Sequence, residues 1–169
     1  GKTTIAVSLA RLSARAGHRT ILIDCDMRHP SVGKHLTEAE ISKGVVEVLS
    51  GRVPLAEAVV RDPKSTLDIL PVGVKPPNPA DIVGSAAMRA LIATLRTHYD
   101  AVIIDSAPIL PVSDTRVLAS LADKTLFVVR WDQTPRDACT NAVKLLLESN
   151  ADICGACLTQ VDLRRHALY

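Results

Sequence analysis

Aromatic residues are scarce in this chain of 169 residues, which contains one Trp, one Phe and two Tyr. Proteins that bind single-stranded nucleic acid without sequence preference stack the bases on aromatic side chains. The formal net charge is only +2, and no long run of Lys or Arg offers the basic surface that attracts phosphate backbones. Both features argue against nucleic acid as a partner.

Long apolar segments are missing as well. No stretch approaches the roughly 20 apolar residues that span a bilayer, and no secretory signal opens the chain. We expect both absences to describe only this stretch, because the chain opens on Gly1 without an initiator Met. The composition, 47% hydrophobic and 22% charged, is an ordinary globular balance, and the length fits one domain.

Cysteine is also rare, with four in the chain, and a domain of this size does not need disulfides to fold. The spacing of Cys154 and Cys157 could indicate a metal or redox pair. Their segment has the pattern of a strand, however, and side chains three apart on a strand point to opposite faces. We therefore expect these two cysteines to be small, buried and inert.

Helical and strand patterns alternate along the chain without internal repeats. Strands that are continuous apolar runs are typical of a parallel sheet covered on both faces by helices. The sequence therefore predicts a single doubly wound α/β domain with a mostly parallel sheet. The predicted helices span residues 4–16, 44–50 and 55–60, a segment from the loop at 75–79 to about 96 or 98, then 113 or 114 to 121, and 135–148; the predicted strands span 20–24, 67–72, 99–105, 124–130 and 153–160.

The first residues match the end of the Walker A loop, G-x-x-x-x-G-K-[ST]. Glycine lets the backbone approach a phosphate closely, and the N–H groups at the start of a helix favour anions. In this chemistry Lys2 bridges the β- and γ-phosphates, and the Thr3 hydroxyl binds Mg²⁺. We expect Gly1, Lys2, Thr3 and Thr4 to bind the nucleotide. The alternative is a helix that happens to begin with this tripeptide.

Acidic residues follow two of the predicted strands. Asp24 ends the first strand, Asp26 follows it, and Asp105 ends the third strand. In parallel α/β sheets ligands bind at the carboxyl ends of the strands, so these carboxylates are expected to converge. Mg²⁺ prefers one or two carboxylates together with water and phosphate oxygens. The alternative is that Asp24 and Asp26 are solvated loop residues or a helix cap.

Four segments together resemble the bacterial tyrosine kinases of exopolysaccharide synthesis, a family within the ParA/MinD-like P-loop ATPases. They are the opening GKTT, the segment LIDCDMRHP (22–30), the segment PPNPAD (76–81) and YDAVIIDSAPILPVSD (99–114). The resemblance covers essentially the whole chain, and its most specific part is the second segment, which that family calls Walker A′. Cys25, where a small residue is usual, and Ser106-Ala107, where Thr-Pro is common, depart mildly from the pattern.

The resemblance implies a Mg-ATP-dependent, non-specific protein-tyrosine kinase. Lys2 would bind the ATP phosphates and assist catalysis, and the metal would be held by Thr3, Asp26 and Asp105. One of the Walker A′ acids, Asp24 or Asp26, would accept the proton of the attacking tyrosine, and Asp24 is the one we expect. Arg28 would neutralise charge, contact another subunit or remain a solvated loop residue.

The resemblance also implies surroundings for the domain. The family regulates the chain length and export of a polysaccharide through a transmembrane co-polymerase, fused or separate, at the cytoplasmic side of the bacterial inner membrane. A homo-oligomer and a tyrosine phosphatase counterpart are expected. We also expect a chain cut at its start within Walker A, which would then bind ATP poorly as it stands. At its other end we expect either a cut before a tyrosine-rich tail or the lack of such a tail. Tyr169 is the candidate phosphate acceptor.

Two other functions fit the same fold. A partition or division-site ATPase of the ParA/MinD type would use the same acids as a switch and transfer no phosphate to protein. A silent regulator would bind the nucleotide without turnover, although the five intact residues at its expected site, Lys2, Thr3, Asp24, Asp26 and Asp105, argue against this.

Overall fold

The structure is a computed structural model that describes residues 1–33, 41–162 and 164. The chain folds into two compact units. The first unit is Lys2–Ala107, and the second is Gly1 together with the residues from Pro108 onward. No helix in the described ranges combines the length and the apolar composition that a membrane crossing requires.

The first unit is built on a mostly parallel sheet of four strands in the order β2-β3-β1-β4. Strand β1 pairs in parallel with β3 and β4, whereas β2 is antiparallel to β3. The predicted α/β class with a mostly parallel sheet flanked by helices is confirmed. The helices of this unit are α1 (Lys2–Arg15), α2 (Val45–Leu49), α3 (Leu55–Ala58), α4 (Pro79–Val83) and α5 (Ala86–His98), and its strands are β1 (Thr20–Asp24), β2 (Val60–Arg61), β3 (Asp68–Leu70) and β4 (Ala101–Asp105).

Strand β1 is the centre of this unit, because all five of its residues are buried. Burying an Ile or Leu side chain contributes about 1.5–3 kcal/mol, so this strand supplies much of the hydrophobic stabilisation of the unit. Helix α1 covers it with a stripe of small apolar side chains at helical spacing. That stripe consists of Ala6, Val7, Ala10 and Ala14 and packs with Leu22, Val32, Leu67 and Ile69.

The predicted helix at 55–60 is wrong at its end, where the structure has the short strand β2. Helix α3 ends at Ala58, and Val60 and Arg61 instead pair with Ile69 and Asp68. Val is β-branched and favours a strand over a helix. The pairing with β3 is non-local, so the periodicity of the segment alone did not reveal it.

A tight approach between two loops follows β3. Gly73 adopts a left-handed φ of 80°, and a Cβ atom on Gly73 would lie 1.9 Å from Oε2 of the buried Glu47. On the facing loop, a Cβ atom on Gly44 would lie 2.3 Å from the backbone N of Gly73 and the carbonyl oxygen of Pro71. Only glycine fits at either position without moving the backbone.

The second unit contains a two-stranded parallel sheet, β5 (Thr125–Arg130) with β6 (Ile153–Thr159), and the helices α6 (Asp114–Leu121) and α7 (Arg136–Glu148). Ala119, Leu146 and Ala151 form its buried cluster, against which Phe127 and Ile153 pack. All four elements lie within one or two residues of their predicted bounds.

The predicted burial of Cys154 and Cys157 is wrong. Cys25 is buried, but Cys154 is exposed, and Cys139 and Cys157 are half-buried. The burial of β6 alternates from residue to residue, which shows a strand with one covered face rather than two. Cys154 and Cys157 fall on opposite sides of this alternation, as the strand period requires.

Candidate nucleotide-binding site

The carboxyl ends of two neighbouring strands bring the acidic residues together. Strand β4 lies parallel to β1 in a register that pairs Ile23 with Ile104 and Asp24 with Asp105. The backbone N–H of Cys25 extends this pairing with a hydrogen bond of 2.7 Å to the carbonyl oxygen of Asp105. The predicted convergence of the two acidic strand ends is therefore confirmed.

Both carboxylate oxygens of Asp24 bind the backbone of the loop that follows β1. Oδ1 accepts from the N–H of Asp26 at 3.1 Å, and Oδ2 accepts from the N–H groups of Ser31 and Val32 at 3.1 and 3.0 Å. The side chain is fully buried. Burial raises the pKa of Asp24 to about 6; the nearby charge of Asp105 acts in the same direction, and the three backbone hydrogen bonds oppose both. Asp24 thus holds the loop from residue 26 to 32 against the end of β1.

Asp26 has a different set of contacts. Its Oδ1 atom accepts a hydrogen bond of 3.0 Å from the backbone N–H of His29. Its relative exposure is 9%, against none for Asp24. Asp26 is therefore the slightly more exposed of the two acids, Asp24 and Asp26.

Asp105 lies between the loop and the start of α1. Burial raises its pKa, while a hydrogen bond from the Thr3 hydroxyl and the positive charge of Lys2 oppose that shift, and the charge of Asp26 adds to it. Lys2, Thr3 and Asp26 are therefore all near enough to influence the pKa of this one carboxyl group. The Oδ2 atom of Asp105 is buried and has no hydrogen-bond partner among the described residues.

Helix α1 delivers its first two residues to this carboxylate. The helix is 14 residues long and begins at Lys2, so its free N–H groups and its dipole favour an anion at this end. The Thr3 Oγ1 atom lies 2.7 Å from the Ser31 Oγ atom in the loop that Asp24 holds. Gly1 and Thr4, the other two residues expected to bind the nucleotide, are both exposed.

These side chains fit a Mg²⁺-nucleotide. The donor set combines a hydroxyl with carboxylates, which are hard oxygen ligands of the kind that Mg²⁺ prefers. The unpartnered Oδ2 of Asp105 is a buried acceptor that a metal or a metal-bound water would satisfy. Within the described ranges no three His, Cys, Asp or Glu side chains cluster as a metal cage. A cage of that kind is not required, because Mg²⁺ usually keeps several waters and substrate phosphates as ligands.

Sequence reasoning missed Ser31 and the structural role of Asp24. Ser31 follows Pro30 in a loop without periodicity, and its partner Thr3 is 28 positions away. No local pattern signals such a contact. Tyr169, the candidate phosphate acceptor, lies outside the described residues, and its role stays a prediction.

The fold and the site together define a P-loop nucleotide-binding domain. A protein family described as an AAA domain matches residues 1–149. Two curated relatives are similar over all of this chain. Tyrosine-protein kinase YwqD of Bacillus subtilis (strain 168) is 32% identical over 169 residues, and the match covers 71% of that protein. The succinoglycan biosynthesis transport protein ExoP of Rhizobium meliloti (strain 1021) is 35% identical over 176 residues, which is 22% of its length.

A solved structure agrees with these sequence matches. The crystal structure of the VpsO kinase domain superposes with a TM-score of 0.91 at 34% identity, covering 96% of this chain and 79% of that one. The chain therefore belongs to the bacterial tyrosine kinase family, as its motifs predicted. It spans most of YwqD but about a fifth of ExoP.

Proposed function

We propose that this protein is a Mg-ATP-dependent protein-tyrosine autokinase that regulates the chain length and export of an exopolysaccharide. The observation that supports it best is the meeting of α1's first residues with the carboxylates of Asp24, Asp26 and Asp105 at one edge of the sheet. The names of its relatives, a tyrosine-protein kinase and a succinoglycan transport protein, supply the reaction and the pathway class.

The phosphate and metal roles in this proposal follow from position and charge. Lys2 at the start of α1 neutralises charge on the β- and γ-phosphates of ATP. The helix N-terminus also favours their negative charge. Thr3 and Asp105 hold the metal, with Asp26 beside them. Bound Mg²⁺ would neutralise charge on the phosphates during transfer.

We assign proton acceptance to Asp26 instead of Asp24, which the sequence favoured. A catalytic base must come within hydrogen-bond reach of the hydroxyl proton that it removes. The raised pKa of Asp24 would suit a base, but both of its oxygens already accept backbone hydrogen bonds and the side chain is fully buried. Asp26 accepts one backbone bond at Oδ1 and is slightly exposed, so it is the better placed carboxylate.

The partners are proposed from the relatives. ExoP is about five times as long as this chain, whereas YwqD is about 1.4 times as long. We therefore propose a transmembrane polysaccharide co-polymerase, fused or separate, at the cytoplasmic side of the membrane. We also propose a homo-oligomer, in which one subunit phosphorylates the tail of the next. A tyrosine phosphatase would reverse the reaction.

The test uses the complete natural protein incubated with Mg-ATP, followed by mapping of phosphorylated residues by mass spectrometry. We expect phosphotyrosine near or beyond position 169, lost in a Lys2→Met control. ATP hydrolysis without any phosphotyrosine would overturn the kinase proposal and favour a ParA/MinD-type switch. Nucleotide binding without turnover would favour the silent regulator.

A further inference from the structure

Thr3 is held by a group outside its own helix. Its Oγ1 atom lies 2.7 Å from the Ser31 Oγ atom, 28 positions further along the chain. A hydroxyl has one proton and two lone pairs, so in this contact one of the two hydroxyl groups donates and the other accepts.

This contact leaves at least one lone pair of the Thr3 oxygen available. Of its four tetrahedral directions, one is the bond to Cβ and one is used by the contact with Ser31, whichever hydroxyl donates. The contact therefore restrains the orientation of the remaining directions before any ligand arrives. Groups that orient a metal ligand in this way commonly change metal affinity when they are removed.

Ser31 itself is fixed by a separate set of contacts. Its backbone N–H donates to Asp24 Oδ2 at 3.1 Å, and the neighbouring N–H of Val32 donates to the same oxygen at 3.0 Å. Val32 is fully buried, and Pro30 restricts the backbone on the other side. The loop therefore keeps its path when only the Ser31 hydroxyl is removed.

We propose that Ser31 is a positioning residue that orients the Thr3 hydroxyl as a Mg²⁺ ligand. The inference rests on the proposed Mg-nucleotide function of this site. It assigns Ser31 no contact with the nucleotide and no proton transfer. It also gives Asp24 an indirect part in metal binding, because Asp24 places the backbone from which Ser31 reaches Thr3.

The experiment measures Mg²⁺ affinity rather than activity. The complete natural protein is titrated with Mg²⁺ in the presence of a fluorescent ADP analogue, and the Mg²⁺ concentration at half-maximal binding is recorded. Ser31→Thr keeps the hydroxyl group. Ser31→Val has nearly the same shape as that threonine but lacks the hydroxyl group. Ser8→Ala on the exposed side of α1 controls for the loss of a serine hydroxyl elsewhere.

We expect Ser31→Val to require about tenfold more Mg²⁺, with Ser31→Thr and Ser8→Ala close to wild type. Binding of the analogue without Mg²⁺ should be the same in all four proteins. Should Ser31→Val fail to fold, judged by thermal unfolding, the smaller Ser31→Ala replaces it with the same expectation.

Two results would overturn the inference while leaving the proposed function intact. Equal shifts in Ser31→Val and Ser31→Thr would show that the loop tolerates no change of size, and no shift in Ser31→Val would show that the hydroxyl does not act on the metal. A wild-type protein that binds the analogue without any response to Mg²⁺ would overturn the proposed function and this inference together.

Discussion

Arg11 in the middle of α1 forms a bidentate ion pair with Asp62. Its Nε and Nη2 atoms donate to the two carboxylate oxygens at 2.9 and 2.6 Å. The Asp62 side chain is completely buried. Burial would raise its pKa, but the hydrogen bonds from Arg11 and Ser65 outweigh burial and lower it. The pair ties the helix that begins with Lys2 to the turn between β2 and β3.

We therefore expect Asp62→Ala to lower the free energy of unfolding by about 3 kcal/mol, because it leaves the Arg11 charge partly buried without its partner. Chemical denaturation of purified protein measures this loss. Glu57→Ala breaks the exposed pair of Glu57 with Lys43 at 2.8 Å and serves as the matched control, with a far smaller effect. Equal losses in the two variants would contradict a special role for the Arg11 pair.

Gly44→Ala should be strongly destabilising, since its Cβ would lie 2.3 Å from the backbone of the facing loop. Backbone atoms cannot move aside as a flexible side chain can, so we expect a loss of about 3 kcal/mol or more. Gly51 offers a control, because its φ is 70° but no atom lies within 4 Å of a Cβ there. Gly51→Ala should cost about 1–2 kcal/mol from backbone strain alone. Thermal or denaturant unfolding that ranks Gly51→Ala as the more damaging change would disprove the steric argument.

The stability of the ligand-free protein should depend on pH through Asp24. Its pKa is about 6 in the folded protein and 3.8 as the ordinary value. Between these values the folded state holds the proton more tightly than the unfolded state. The contribution of Asp24 is therefore full below pH 4 and is lost as the pH rises through 6, by up to about 3 kcal/mol.

Denaturant unfolding at intervals from pH 4 to 7 checks this prediction. Asp24→Asn has no proton to lose, so its unfolding free energy should change less steeply over this window than that of wild type. The slopes are compared, because the amide also loses hydrogen bonds and shifts the whole curve downward. Parallel curves for the two proteins would show that the pKa of Asp24 is not raised.

Asp24→Asn and Asp26→Asn should both lose tyrosine phosphorylation, but for different reasons. Asp26→Asn removes the proposed proton acceptor, so we expect wild-type stability and a rate at least about 100-fold lower. Asp24→Asn disturbs three backbone hydrogen bonds, so its melting temperature should fall together with its activity. Autophosphorylation rates and melting temperatures of the complete protein distinguish the two. An active Asp26→Asn enzyme would return the base assignment to Asp24.

Much of this structure follows from the sequence, and the exceptions share a physical cause. Strand β1 matches its predicted bounds, residues 20–24, because a continuous buried apolar run is a local signal. The pairing of Asp24 with Asp105 follows from the rule that parallel strands align their carboxyl ends. Strand β2, the exposure of Cys154 and the contact of Thr3 with Ser31 depend on partners distant in the chain. Local patterns contain no information about such partners.

The buried thiol of Cys25 has a practical consequence. It lies between the two Walker A′ acids, and burial raises its pKa, so it is unreactive in the closed structure. A thiol reagent can reach it only when the end of β1 and its loop separate, so its alkylation rate reports the frequency of that local opening. Cys25 is thus a built-in probe of local opening at the nucleotide site. Its alkylation rate is compared with that of the exposed Cys154, which serves as an internal standard.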